Sequence, residues 1–429
     1  MNSLISSLRL RRGVYSGLVA ALLALTPGAP GFAAPAGGPH WVVSWTAAMQ
    51  SVSPRADAPG FDRAPLIDHQ TVRQIIYSRL GGARLRLHIS NRYGLTPLVI
   101  DRTQLALSGG AAAVEVQGER SVTFGGRPVL VLAPGAEAQS DPVPLAVSAG
   151  GGLAVSFFID RSEKPSTWHK LASQVNYLSV PGDHVADPGG AAFRGHFTSY
   201  LWLSALDVDA SDDPNAYAVV AIGDSITDGM RSTLNANRRW PDVLARSLAA
   251  SGRSVAVVNQ GISGNRLLSD SPCYGERLVS RFAADALAPV GVRTVVVLVG
   301  INDINFAAMP PRPGLDCDFP HTRVMAADLI NGYRELIAAA RSRGIRVIGA
   351  TLTPAGLPAA REAIRREVNQ WIRSSRAFDE VVDFDAALRD PARPDDLLPA
   401  YDSNDHIHPS DAGYAEMARQ MGLRELAVR

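Results

Sequence analysis

Polar and apolar residues alternate with period two in Arg84-Leu85-Arg86-Leu87-His88-Ile89, just after Gly81-Gly82, which predicts one arm of a β-hairpin. Similar short runs recur between Trp41 and about Leu206: Thr71 to Tyr77, Leu98 to Leu107, Val129 to Leu132 and Leu153 to Ile159. Gly125-Gly126 and Pro134-Gly135 stand among the turns, and no long amphipathic helix interrupts the series. Many short strands with frequent turn signals predict an all-β sandwich or jelly-roll-like domain over residues 37–206.

Beyond Ala216 the pattern changes. Ala218 to Ile222, Ser254 to Val258, Thr294 to Val299, Arg346 to Ala350 and Val381 to Phe384 are unbroken or nearly unbroken apolar runs rich in Val and Ile. Such runs suit parallel strands covered on both faces. Helical stretches lie between them at Trp240 to Ala250, Val324 to Arg343 and Ala360 to Arg373, with Gly344 placed to stop the second. This alternation predicts an α/β domain over 216–429, a doubly wound, flavodoxin-like parallel sheet whose ligands sit beyond the carboxyl ends of the strands. Residues 207–215, with Ser211-Asp212-Asp213-Pro214, read as the linker.

Length agrees with two domains, since 429 residues exceed the roughly 250 to 300 that one core usually supports. The 42 basic and 41 acidic residues leave a net charge of +1, which gives a nucleic acid no field to follow. At the N-terminus, Arg9, Arg11 and Arg12 precede an apolar run from Val14 to Leu25 and a small-residue zone, Gly31-Phe32-Ala33-Ala34-Pro35-Ala36. Residues 1–36 therefore read as a signal peptide. Its apolar run is shorter than the roughly 20 residues that span a bilayer, so export to the periplasm or beyond is expected, without a stable membrane anchor. Cys273 and Cys317 are the only cysteines. Paired in an oxidising compartment, they would close a loop of about 44 residues and stabilise by about 4 kcal/mol; two free thiols are the alternative.

Candidate chemistry gathers at three predicted strand ends and near the C-terminus. In Gly223-Asp224-Ser225-Ile226-Thr227-Asp228-Gly229, Ser225 falls where a strand meets a helix and free N–H groups favour developing negative charge. In Asn259-Gln260-Gly261-Ile262-Ser263-Gly264-Asn265, the Gly261 amide is unobstructed by a side chain, and in Gly300-Ile301-Asn302-Asp303 the Asn302 amide is a further donor. The Ser225 N–H would complete an oxyanion hole. Each turn alone reads as readily as a helix cap or loop. A serine needs a base, and Asp405-His406-Ile407-His408-Pro409 supplies one, with Asp405 and His408 three apart. His406 is a rival base, and Asp402 and Asp411 are rival acids. His-x-His is also half of a metal site, but no partner cluster at ligand spacing accompanies it.

These four blocks, in order over about 216 to 419, resemble the GDSL, or SGNH, hydrolase family. The resemblance implies Ser225 as nucleophile, Asp405 and His408 as acid and base, and Ser225, Gly261 and Asn302 as oxyanion donors, with no cofactor. Asn237-Arg238-Arg239-Trp240-Pro241 and Gly261 to Arg266 further resemble a secreted bacterial branch with an extra β-rich N-terminal region, described as lysophospholipase-like or as carbohydrate esterase. The reaction so implied is ester hydrolysis through an acyl-enzyme. Its substrate is expected to be an O-acetyl ester of a carbohydrate, with lipid or aryl esters, or acyl transfer by the same triad, as alternatives. Trp41, Trp45 and Trp168 read as core residues, with stacking on sugar rings as the second reading.

Overall fold

In Leu85–Ser90 the apolar residues of the alternation are fully buried, while Arg86 and His88 face Asp207 on a neighbouring strand. The computed structural model describes residues 38–53, 55, 57–422 and 426, and the expected leader at 1–36 lies outside the described residues. Among the described residues no helix is long and apolar enough to cross a membrane.

The strand-rich region comprises β1 (Trp41–Thr46), β2 (Ile67–Tyr77), β3 (Leu85–Ser90), β4 (Arg102–Gly110), β5 (Glu137–Gln139), β6 (Gly152–Glu163), β7 (Thr167–His169), β8 (Asn176–Pro181), β9 (Phe193–Phe197) and β10 (Leu203–Asp209), with shorter strands between. An antiparallel sheet runs β1-β10-β3-β5, and a larger one contains β9-β8-β2-β6-β4. The expected hairpin at Arg84 to Ile89 is corrected: β3 pairs with β10 and β5, both distant in sequence. The expected strand Leu98 to Leu107 is divided at Asp101. Leu98–Ile100 pairs with Leu130–Leu132, whereas β4 pairs with β6.

The α/β region holds β11 (Tyr217–Gly223), β12 (Val255–Gly261), β13 (Val292–Leu298), β14 (Arg346–Ala350) and β15 (Glu380–Val382). All pair in parallel, in the order β12-β11-β13-β14-β15. The direction of chain winding reverses about β11, which makes the crevice between the carboxyl ends of β11 and β13 the expected ligand position. The helices are α1 (Ser225–Asp228), α2 (Trp240–Ala250), α3 (Leu278–Phe282), α4 (Ile301–Phe306), α5 (Ala326–Arg341), α6 (Ala359–Ser374), α7 (Phe384–Leu388) and α8 (Asp411–Gly422).

One apolar core runs through both regions and includes Val42, Leu87, Val155 and Leu206 together with Val219, Val257, Val296 and Leu336. The described residues from Pro39 onward form one compact unit. The segment read as a linker, 207–215, begins inside β10, because Asp207 and Asp209 are strand residues paired with Arg86 and Arg84. Trp41, Trp45 and Trp168 are buried, which removes them from stacking on a sugar.

Candidate active site

β11 is buried along its whole length and delivers the chain to the crevice at Gly223. A Cβ on Gly223 would lie 2.0 Å from the Leu298 carbonyl oxygen, so β11 and β13 can close together there only on a glycine. Asp224 caps α1 by accepting the Ile226 N–H at 3.0 Å, which leaves Ser225 as the first helical residue, 5% exposed. The Ser225 N–H finds no acceptor among the described residues. Such an orphan first-turn donor favours negative charge.

Ser225 Oγ lies 2.8 Å from His408 Nε2, and His408 Nδ1 lies 2.8 Å from Asp405 Oδ2. The carboxylate only accepts, so it fixes the proton on Nδ1 and leaves Nε2 to accept from the serine hydroxyl. Asp405 also receives the Ile407 and His408 N–H groups at 3.1 and 2.8 Å, and Arg231 Nε at 3.0 Å. Burial alone would raise its pKa, but the His408 ring, the backbone N–H bonds and the His408 charge together hold the carboxyl well below the usual range. The rivals sit elsewhere. His406 has a φ of 65°, is 81% exposed and turns its ring to Asp402 at 2.7 Å. Asp411 begins α8 and accepts from Thr233.

Of the expected oxyanion donors, Gly261 requires correction. Its N–H is committed to Asn259 Oδ1 at 2.8 Å, and a Cβ there would fall 2.2 Å from the Asp228 nitrogen. Gly261 lacks a side chain so that β12 can pass under α1. Three residues on in the same turn, Gly264 offers a free backbone N–H that the sequence reading did not single out. It holds a φ of 80°, and its N–H has no acceptor among the described residues. Asn265 N–H closes the turn on the Ile262 carbonyl at 2.9 Å. Asn302, in the first turn of α4 and 8% exposed, spends one amide hydrogen on the Asn265 carbonyl at 3.0 Å and retains the other. The signal that separates Gly264 from Gly261 is conformational, since a tight turn needs a left-handed residue and a strand end does not.

Buried charge fixes this geometry. Asp303 accepts the Leu267 and Leu268 N–H groups at 2.8 and 2.9 Å and thereby ties the segment after the turn to α4; burial pushes its pKa up to about 6. Burial likewise pushes Asp224 up to about 7, helped by Asp303 and Asp228 and opposed by the Ile226 N–H. Arg281, fully buried on α3, donates to the Gly223 and Gln260 carbonyls at 2.9 Å each and to Asn265 Oδ1 at 3.0 Å, while pairing with Asp285. This arginine joins the carboxyl ends of β11 and β12 to the turn, and nothing in the spacing of the sequence marks it.

Cys273 and Cys317 are joined in a disulfide. With Asp62 they make the one group of three potential metal ligands among the described residues. Because the sulfurs are bonded to each other and Asp62 is paired with Lys170 at 2.5 Å, that group offers no set of free ligands.

A family model of GDSL-like lipases and acylhydrolases matches residues 221–416. Among solved structures, the chain is similar to a G-D-S-L family protein from Desulfitobacterium hafniense DCB-2, at 24% identity and a TM-score of 0.36, over 48% of this chain and 97% of that one. It is similar to the acetyl xylan esterase AlAXEase at 20% identity and a TM-score of 0.36, over 48% and 97%. A variant of the acetyl xylan esterase Axe2 from Geobacillus stearothermophilus gives 22% and 0.37, over 49% and 97%. No curated protein matches the chain. The family match places a GDSL-like lipase/acylhydrolase domain over residues 221–416.

Proposed function

We propose that the protein hydrolyses carboxylic esters through an acyl-enzyme on Ser225. The observation that carries this reading is the unbroken chain of two 2.8 Å contacts from Ser225 Oγ through His408 to Asp405, at the end of a strand and the start of a helix. His408 Nε2 takes the hydroxyl proton as Oγ attacks the acyl carbonyl, and the imidazolium so formed is stabilised by Asp405. The oxyanion is received by the N–H groups of Ser225 and Gly264 and by the free amide hydrogen of Asn302. His408 then passes its proton to the leaving alcohol, and a water molecule, deprotonated by the same ring, releases the acid. No cofactor takes part in this sequence.

The substrate class we propose is O-acetyl esters of carbohydrates, in an exported enzyme whose strand-rich region backs the hydrolytic site. Support comes from the likeness of Asn237 to Pro241 and Gly261 to Arg266 to a secreted branch of the family. The Cys273–Cys317 bridge fits an oxidising compartment. Acetylated xylan, nitrophenyl esters of rising chain length and lysophospholipid, assayed side by side, test the class. Release of acetate from the glycan with the highest kcat/KM is expected. Preference for long-chain or lipid esters would overturn the assignment of substrate while leaving the triad intact, and product gain on adding a sugar acceptor would point to acyl transfer.

A further inference from the structure

His169 closes β7, is 4% exposed and belongs to the strand-rich region. Its Nδ1 faces the Ala48 carbonyl at 2.9 Å, and its Nε2 faces the Leu171 carbonyl at 3.0 Å and Asp228 Oδ1 at 3.1 Å. Every one of these atoms is an acceptor. A neutral imidazole carries one N–H and would set its bare nitrogen against an oxygen lone pair, whereas the imidazolium satisfies both sides. Burying that charge is costly unless an opposite charge accompanies it.

The counter-charge, Asp228, stands three residues beyond Ser225 at the end of α1 and is itself 2% exposed. Its second oxygen accepts both the N–H and the hydroxyl of Ser263, at 2.8 and 2.7 Å. Ser263 immediately precedes Gly264. One buried ion pair therefore holds the helix that presents the nucleophile and the turn that presents an oxyanion donor, and it is anchored on the opposite region of the chain.

We propose that His169 is a positioning residue of the hydrolytic site, held as an imidazolium that fixes Asp228 and, through it, both α1 and the turn bearing the Gly264 amide. The groups around the ring agree. Burial and the Arg239 charge at the start of α2 work against protonation, but Asp228 and the bond to the Ala48 carbonyl prevail, so the pKa is raised. Tyr200 stacks on the ring at 6.3 Å, and the neighbouring Lys170 is turned to Asp62.

This inference rests on the reading of Ser225 and Gly264 given above, and two measurements on the full chain test it. His169→Gln keeps a donor toward Asp228 without the charge. It is expected to lower kcat for p-nitrophenyl acetate by about ten- to a hundred-fold with KM within about two-fold, because transition-state geometry rather than binding is disturbed. Nitrogen-15 NMR of the wild-type histidine rings near pH 8 is expected to show His169, recognised by slow solvent exchange, with both nitrogens protonated. A bare ring nitrogen, or a folded His169→Gln enzyme with wild-type kcat, would overturn the proposal. The NMR result decides the matter even where the variant fails to fold. Full activity in Ser225→Ala would instead sink the underlying reading, whatever His169 does.

Discussion

At the scale of single residues the site divides into groups that react and groups that hold them. His408→Ala is expected to abolish esterase activity, whereas His406→Ala should stay within about two-fold of wild type, since an exposed ring paired to Asp402 touches nothing that reacts. Parallel assays of the two variants check this, and the reverse outcome would exchange their roles. Asn302→Ala removes one oxyanion donor and is expected to lower kcat by about 10²- to 10³-fold with little change in KM. Gly261→Ala should act differently. Its Cβ would strike the backbone of α1, so a loss of roughly 1 to 3 kcal/mol in denaturant unfolding is expected. A variant that unfolds like wild type would show that the strand end has room. The sequence around Ser225, Asn302, Asp405 and His408 was readable because each side chain carries its own chemistry. A backbone donor has none: only the turn's dihedral angles and the acceptor on Asn259 distinguish the free Gly264 N–H from the committed one of Gly261.

Buried carboxyls give the same scale a pH signature. Asp224 and Asp303, with pKa values raised to about 7 and about 6, favour the folded state most fully below about pH 4, where unfolded carboxyls also hold their protons. That contribution is lost as pH rises through the folded values. Asp405 works in the opposite sense, stabilising above about pH 4 and losing its effect as acid protonates it. Asp224→Asn keeps the helix cap and removes the titration. Thermal melts should therefore decline less between about pH 4 and 7 in the variant than in the wild type, and parallel declines would contradict the raised Asp224 pKa.

At the scale of elements, the buried parallel strands were the most legible part. Val- and Ile-rich runs have little alternative to a covered sheet, and β14 and α2 fall on the residues expected of them. The end of β15 was less clear. Asp383 accepts the Ala386 N–H, so Phe384 starts α7 instead of extending the strand. Pairing partners in the strand-rich region could not be read at all, because alternation reveals which face of β3 is buried but not which strand lies beside it. The disulfide is an element-scale staple between the loop after β12 and the loop after α4. Its double replacement, Cys273→Ser with Cys317→Ser, is expected to lower unfolding free energy by about 4 kcal/mol, as a loop of this length implies. An unchanged denaturation midpoint would mean that the loops are held by other contacts, such as Arg266 on the Asp318 carbonyl.

At the scale of the molecule, the strand-rich region is bonded directly to the elements that carry the candidate site. Thr46 Oγ1 donates to the Asn259 carbonyl, Gln50 to the Cys273 carbonyl, and Val43 N–H to the Val290 carbonyl, while buried Arg79 pairs with Asp242 on α2. A fragment beginning at Ala216 would expose that face and leave Asp228 without His169. It is expected to aggregate or to lose cooperative unfolding, which light scattering and thermal melts would detect. Sequence periodicity marked the change of architecture near Ala216, but it carried no sign that the two regions share one core, because contacts such as Thr46 on Asn259 and Gln50 on Cys273 join residues more than 200 positions apart. Nucleophilic attack by Ser225 is tested most directly by covalent labelling. Treated with a fluorophosphonate and mapped by peptide mass spectrometry, the active protein should carry one adduct, on Ser225, that fails to form in His408→Ala. An active enzyme left unlabelled, or labelled on another serine, would show that Ser225 is not the nucleophile.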